Sequence, residues 1–327
     1  MNHPRPSRRD FLALSAGALL PLGARSQAKD WPERPIKFVV PYPPGGNADS
    51  LARVLAERFK HHLGATIVVE NRPGATAMIG TEFVSRAAPD GYTLLLAAAT
   101  AFTVLPHLRK LPYDPAKGFE SAGGVGKLVA VVAVRNDLPA QSLRELINLA
   151  KRNPGKYTFG SAGSASVGHI SGEILKRATG IDMLHVPFKG SSELMTAIVG
   201  GHIDMIIDGV ALELAVSGRA RALATFLDSR HQQLPNVPSL AEAGVKLNLP
   251  YSGFGVMAPA GTPRSIMNRI SAALEKIVGE ADVREKLLNL SILAAWATPS
   301  EHRRALESSR TYYGGLLREI GLSRETM

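Results

Sequence analysis

Two short segments carry the residue types from which an anion site is built. Pro41-Tyr42-Pro43-Pro44-Gly45-Gly46-Asn47-Ala48-Asp49 leads from a β-branched run into a helical one. Gly160-Ser161-Ala162-Gly163-Ser164-Ala165-Ser166 stands just before the helical run that carries His169 and Glu173. In parallel α/β sheets ligands sit at the carboxyl ends of strands, where the next helix offers unpaired N–H groups and a partial positive charge. Gly45 and Gly46 let the backbone approach a ligand with no Cβ in the way. Ser161, Ser164 and Ser166 add hydroxyl donors for a carboxylate or phosphate. Taken singly, each segment is equally well a turn that needs glycine or a serine-rich helix cap. Taken together they describe a clamp, a cleft that grips a small anion from both sides.

Further candidates follow other strands. Asn71-Arg72-Pro73-Gly74-Ala75-Thr76 could add donors to the first wall, although Asn71 and Gly74 would also suit a plain turn. Thr100, after the third strand, is placed to act as wall and hinge. In Phe188-Lys189-Gly190, Lys189 could neutralise ligand charge or simply be solvated. Asp204 and Asp208 fall on a strand and its end, so they form no acid/base pair, and Asp208 is expected as a solvated strand end that borders the cleft.

Other chemistries fit less well. No G-x-G-x-x-G or P-loop pattern follows the first strand, and no G-x-S-x-G surrounds Ser161, Ser164 or Ser166. A hydrolase using Ser161 or Ser164 with His169 remains the alternative, on proximity in sequence alone. The nine histidines include no HExxH, and the adjacent His61 and His62 cannot share a helix face. Zero cysteine excludes thiolate catalysis and Cys-ligated zinc. No metal, no cofactor and no catalytic residue is expected.

The elements that must position these residues alternate. Residues 36–40, 66–69 and 93–98 read as strands and residues 48–62 and 77–86 as helices, a βαβαβ order that predicts a parallel sheet. After a loop-rich stretch, residues 103–124, the pattern restarts. Strands are predicted at 129–134, 157–160, 183–186, 203–207 and 221–226. Helices are predicted at 167–177 and 194–199, and another opens with a capping box, Ser142 with Glu145. A final apolar run at 253–258 precedes a helix with Thr262 as cap and Pro263 in the first turn, and residues 300–320 read as a last helix.

With 327 residues, 45% of them apolar, the chain has length for two domains. The net charge of +10 comes from scattered Lys and Arg without aromatic interleaving, which argues against nucleic acid and leaves a modest pull on anions. Residues 1–28 read as an export signal. Arg8-Arg9 precede an apolar run from Phe11 to Leu22 and a Ser-x-Ala end, in the manner of a twin-arginine leader, which places the mature protein in the periplasm.

Seven collinear runs resemble the Bug family, the periplasmic receptors of tripartite tricarboxylate transporters. They are Trp31 to Ile36, Pro41 to Asp49, Glu70 to Ala75, Asp90 to Leu94, Gly160 to Gly163 with His169, His185 to Gly190, and Ala258 to Pro263. The resemblance implies two α/β domains joined by two crossings around a closing cleft, a periplasmic binding protein of Venus-flytrap, type II-like architecture. The expected partition is 29–101 plus 225–327 for one domain and 102–224 for the other. The ligand it implies is a small organic anion, a carboxylate held partly through ordered water and backbone amides by the loops at Pro43–Asn47 and Asn71–Thr76. Carried over by position, Gly45, Gly46, Asn47, Thr76 and Thr100 fall on one wall and Ser161, Ser164, His169 and Lys189 on the other. Asp49, Ala75, Gly163, Phe188, Gly190 and Asp208 complete the candidate set. Two departures matter. Ala75-Thr76-Ala77 stands where many members are richer in glycine, and Phe188 replaces a common tyrosine. A monomer serving membrane permease subunits is expected, with a ligand sensor for a membrane signalling partner as a further alternative.

Overall fold

Ile36, Phe38, Val39 and Val40 are fully buried, and burial on both faces puts β1 (Ile36–Val40) in the middle of a sheet. It pairs in parallel with β2 (Ile67–Asn71) and β3 (Thr93–Ala98). The crossovers are α1 (Asn47–Leu63), which buries Leu51, Leu55 and Phe59, and α2 (Met78–Ser85). A computed structural model describes residues 31–164, 166–227, 230–246, 252–319 and 322, so the export signal expected at 1–28 lies outside the described residues.

The first sheet continues with β10 (Gly253–Pro259), β4 (Phe119–Leu128) and β11 (Ile292–Ala297), in the order β2-β1-β3-β10-β4-β11. The second contains β5 (Val131–Val134), β6 (Thr158–Ser161), β7 (Leu184–Pro187), β8 (Met205–Asp208) and β9 (Arg221–Thr225), in the order β7-β6-β8-β5-β9. Both share one scheme: a parallel trio ordered second, first, third, then an antiparallel strand (β10 or β5) beside the third, with β4 and β11 beyond it in the first sheet and β9 in the second. The sheets are therefore mixed, where the sequence suggests parallel ones. The chain passes between sheets twice, from Leu128 to Val131 and from Thr225 to Gly253. Two α/β domains result, each around its own sheet.

The remaining helices are α3 (Thr100–Thr103), α4 (Leu105–Leu108), α5 (Leu143–Arg152), α6 (Val167–Thr179), α7 (Ser191–Val199), α8 (Val210–Val216), α9 (Arg264–Gly279), α10 (Ala281–Asn289) and α11 (Pro299–Glu319). The capping box is present: Ser142 Oγ accepts from Glu145 N at 3.2 Å, and the Glu145 carboxylate accepts from Gln141 N at 2.7 Å.

Two readings are corrected. Residues 119–128, expected as part of the second domain and as loop up to Gly124, form β4 of the first sheet. Gly123, Gly124 and Gly126 depress its strand signal, yet β11 requires them. A Cβ at Gly123 would lie 2.4 Å from the Trp296 ring, and one at Gly126 would lie 2.5 Å from Ile292 Cγ2. At α9 the N-cap is Pro263, and the Thr262 hydroxyl donates instead to Pro259 O at 2.7 Å.

Candidate functional site

A cleft of about 620 Å³ opens where the two sheets point their strand ends at one another. Four helices of eight residues or more begin on its wall. From the first domain come α1 (Gly46, Asn47, Ala48) and α2 (Ala77), and from the second come α6 (Ser166, Val167) and α7 (Ser191, Ser192). First-turn N–H groups have no upstream carbonyl to bond, and the aligned peptides leave partial positive charge there. The walls between these starts are apolar: Leu105, Leu128, Phe188 and Phe254.

On the first wall, Pro43, Gly46, Asn47, Ala75, Thr76 and Thr100 all line the cleft, as expected. Asn47 is also a strut, its Nδ2 donating to Leu290 O at 2.8 Å. Tyr42 stands beside Thr100, which hydrogen-bonds it, and Ala98 N donates to the Tyr42 hydroxyl at 3.3 Å. Burial pushes the Tyr42 pKa up to about 12 against these bonds, so it serves as a neutral phenol. Ala75, Thr76 and Ala77 have φ of 46, 54 and 74°, three successive left-handed residues without glycine. Each such residue costs about 1–2 kcal/mol, a local strain held by the surrounding structure.

Asp49 and Gly45, both placed among the ligand-binding residues, do not line the cleft. Asp49 is 4% exposed behind the loop, and its carboxylate accepts from Gly45 N, from Asn71 Nδ2 and from Arg53 Nε and Nη2, all at 3.0 Å. Burial alone would raise its pKa, but the Arg53, Gly45 and Asn71 bonds and the Arg53 charge outweigh burial and hold it low. Asp49 thus fixes the glycine turn from behind. Asp49→Asn, which keeps the shape and loses the ion pair, is expected to cost about 1–2 kcal/mol in urea unfolding and to speed amide exchange at Gly45. Unchanged exchange there would remove the strut role.

On the second wall, Gly163, Ser164, Phe188, Lys189, Gly190 and Asp208 line the cleft. The domains meet at the rim, where a Cβ at Gly190 would lie 3.1 Å from Pro43 Cγ and Ser192 Oγ reaches Pro44 O at 3.5 Å. Asp208, expected as a solvated strand end, is 7% exposed. The strand ends against α7 and α8, so its Oδ1 accepts from Val210 N at 3.1 Å and Ser191 Oγ at 3.3 Å.

Ser161 and His169 are not on the wall. Ser161 is fully buried, its Oγ 2.7 Å from His185 Nε2 on the adjacent parallel strand and donating to Gly163 O at 2.9 Å. His169, 3% exposed, stacks on His185 with centroids 3.9 Å apart. Burial, then the neighbouring His185 and Lys176 charges, lower the His169 pKa to about 3. Burial, then Lys176, lowers that of His185 to about 4. The histidine beside Ser161 is therefore not the one sequence proximity suggests, and the serine does not face the cleft.

Arg109, Ser191, Ser192 and Glu193 also line the cleft and were not anticipated. Ser191 and Ser192 carry the same signal as the Gly160–Ser166 loop, hydroxyls at a helix start. Among the described residues no three His, Asp or Glu side chains gather to hold a metal ion.

Two α/β domains that turn helix starts on one shared cleft define a solute-binding protein of the periplasmic type. The profile of the tripartite tricarboxylate transporter family receptor matches residues 51–322, and the chain belongs to that family. A UPF0065 protein from the tcbD-tcbE intergenic region of Pseudomonas sp. strain P51 is 36% identical over 89% of this chain and 88% of its own. Among solved structures, the periplasmic binding protein BugD superposes with a TM-score of 0.84 at 32% identity, covering 90% of this chain and 99% of its own. Rpa4515 of R. palustris, solved with adipate, gives 0.86 at 29% identity over 90% and 99%. MatC of Rhodopseudomonas palustris, solved with malate, gives 0.81 at 26% identity over 88% and 100%.

Proposed function

We propose that this protein is a periplasmic receptor whose two domains close on a small carboxylate and present it to the membrane subunits of a tripartite tricarboxylate-type transporter. The observation that carries the reading is the convergence of four helix starts, two from each domain, on one cleft. Such starts favour a ligand that brings negative charge and accepts hydrogen bonds. Lys189 and Arg109 at the cleft add to that preference, and the apolar panels suit the carbon chain between polar ends. Adipate and malate in two structural neighbours support the carboxylate class. On this reading the twin-arginine leader at 1–28 exports the chain, the domains divide at residues 129–130 and 226–252, and the receptor works as a monomer.

Melting-shift screening of the purified chain tests it. A binder at one hundred times its Kd stabilises the fold by about 2.7 kcal/mol. A rise in Tm with adipate, malate or another di- or tricarboxylate is the expected result. A flat response across dicarboxylates, tricarboxylates, amino acids and aromatic acids would sink the reading. The Ser161–His185 contact raises a hydrolase as the second reading. Since Ser161 lies behind the wall, Ser161→Ala is expected to leave the carboxylate Kd within about threefold, and loss of ester turnover on that substitution would favour the enzyme instead.

A further inference from the structure

Asp208 is the one buried carboxyl on the wall of a cleft otherwise built to attract negative charge. It ends β8, opposite the apolar Val131 of β5. Its Oδ1 is occupied by the Val210 N–H and the Ser191 hydroxyl. Its neighbour Gly209 is packed so closely that a Cβ there would lie 2.4 Å from Asn47 Nδ2 and 2.8 Å from Leu128 Cδ1, both on the same cleft wall that Asp208 lines. Among the described residues no lysine or arginine pairs with it. The charged side chains that share the cleft are Lys189 before α7, Glu193 in α7 and Arg109 after α4. Burial comes first and raises the Asp208 pKa, and the bonds from Val210, Ser191 and Gly209 partly offset it.

An ionised Asp208 would set one carboxylate against another at a buried point of the wall. Two carboxyl groups that share such a site hold one proton between them. We propose that Asp208 is the proton-bearing partner of a ligand carboxylate, so that capture of the anion is coupled to retention or uptake of one proton at this side chain. The Asp208 O–H donates to the ligand oxygen and no covalent bond to carbon changes. Where the free carboxyl is ionised, the proton comes from solvent. The site then selects an ionised acid and rejects a ligand that brings its own amine proton donor to this point. This rests on the carboxylate reading given above.

The test has two arms on the full chain. In the first, carbon-13 NMR follows the aspartate carboxyls, with Asp208→Asn assigning the signal. Asp208 is expected to titrate above the other aspartates, and higher still with adipate or malate bound. In the second, calorimetry with the same acid runs from about pH 6.5 to 8.5, where the acid is fully ionised, in two buffers of different ionisation enthalpy. Kd is expected to weaken by up to about tenfold per pH unit once the pH passes the free Asp208 pKa, with up to one proton taken up per ligand. Asp208→Asn, which keeps an N–H donor but has no proton to gain or lose, is expected to bind with no pH slope and no buffer dependence. A slope or proton uptake that survives in Asp208→Asn, or an Asp208 signal in the ordinary range with ligand bound, each overturns the proposal and spares the receptor reading. No binding by any carboxylate removes both.

Discussion

Thr76→Asp is expected to weaken binding of adipate or malate by at least about one hundredfold while leaving the Tm of the empty protein unchanged or raised. The two effects have different origins. Thr76 lines the cleft just ahead of α2, so a new carboxylate stands on the wall that the receptor reading assigns to the ligand's own charge. Two like charges about 5 Å apart repel by roughly 3 kcal/mol at an effective dielectric constant near 20, which is about two orders of magnitude in Kd. The fold sees the opposite. Thr76 has φ 54°, a left-handed conformation that a β-branched residue adopts badly and that Asp tolerates. A carboxylate beside the α2 N-terminus adds about 0.3–1 kcal/mol of stabilisation. Thr76→Asn is the control, with the same shape and backbone preference but no charge, and it should keep affinity within about tenfold. Calorimetry and thermal melting on the three proteins decide the matter. Equal affinity in the Asp and Asn variants would mean that this wall does not meet negative charge.

The outline of the site was legible because glycines and hydroxyls at strand-to-helix junctions are dictated by backbone chemistry. Gly46, Asn47, Gly163 and Ser164 were located by that rule, and they line the cleft. What periodicity does not encode is the direction in which the last side chain of a strand turns. Ser161 and Asp208 both end strands of the second sheet, yet one turns inward to His185 and the other faces the cleft. Asp49 shows a related limit. An acidic residue in the first turn after a glycine loop reads as part of the binding surface, and only the tertiary fold reveals Asn71 and Arg53 behind it. Arg109 closes a four-residue helix, too short for any repeat to mark. Strand β4 was hidden because its glycines answer to Trp296 and Ile292, more than 160 residues away, and local propensity carries no record of them.

Acidification from pH 7.5 to 4.5 is expected to remove about 5 kcal/mol or more of folding stability before the carboxylates contribute. His169, His185 and His302 have native pKa values lowered to about 3, 4 and 4. Burial is the largest cause in each, and His302 is held between Ser121 Oγ, 2.8 Å from its Nδ1, and the backbone at Gly255, where a Cβ would lie 2.1 Å from its Cε1. An imidazole with a depressed native pKa contributes stability above its unfolded value, near 6.5, and loses it as pH falls toward the native one. At pH 4.5 the unfolded chain has bound a proton at each position, whereas the folded chain has bound almost none at His169 and only about a quarter of one at His302. Each of these two then withdraws roughly 2 to 3 kcal/mol, with the less buried His185 acting in the same direction. Asp49 and Glu70, whose pKa values are lowered, begin to withdraw stability as pH falls into the ordinary carboxylate range, where the unfolded chain takes up their protons first. Asp208, raised by burial, works in the opposite sense and recovers some stability on acidification. Urea unfolding at half-unit steps of pH reads the sum, and His302→Asn should reduce the acid slope by up to one proton even though its packing loss lowers stability at pH 7.5. A stability curve flat between pH 7.5 and 4.5 would mean that these rings take up protons in the folded state, and the buried histidine stack beside the second wall would then have to open to solvent.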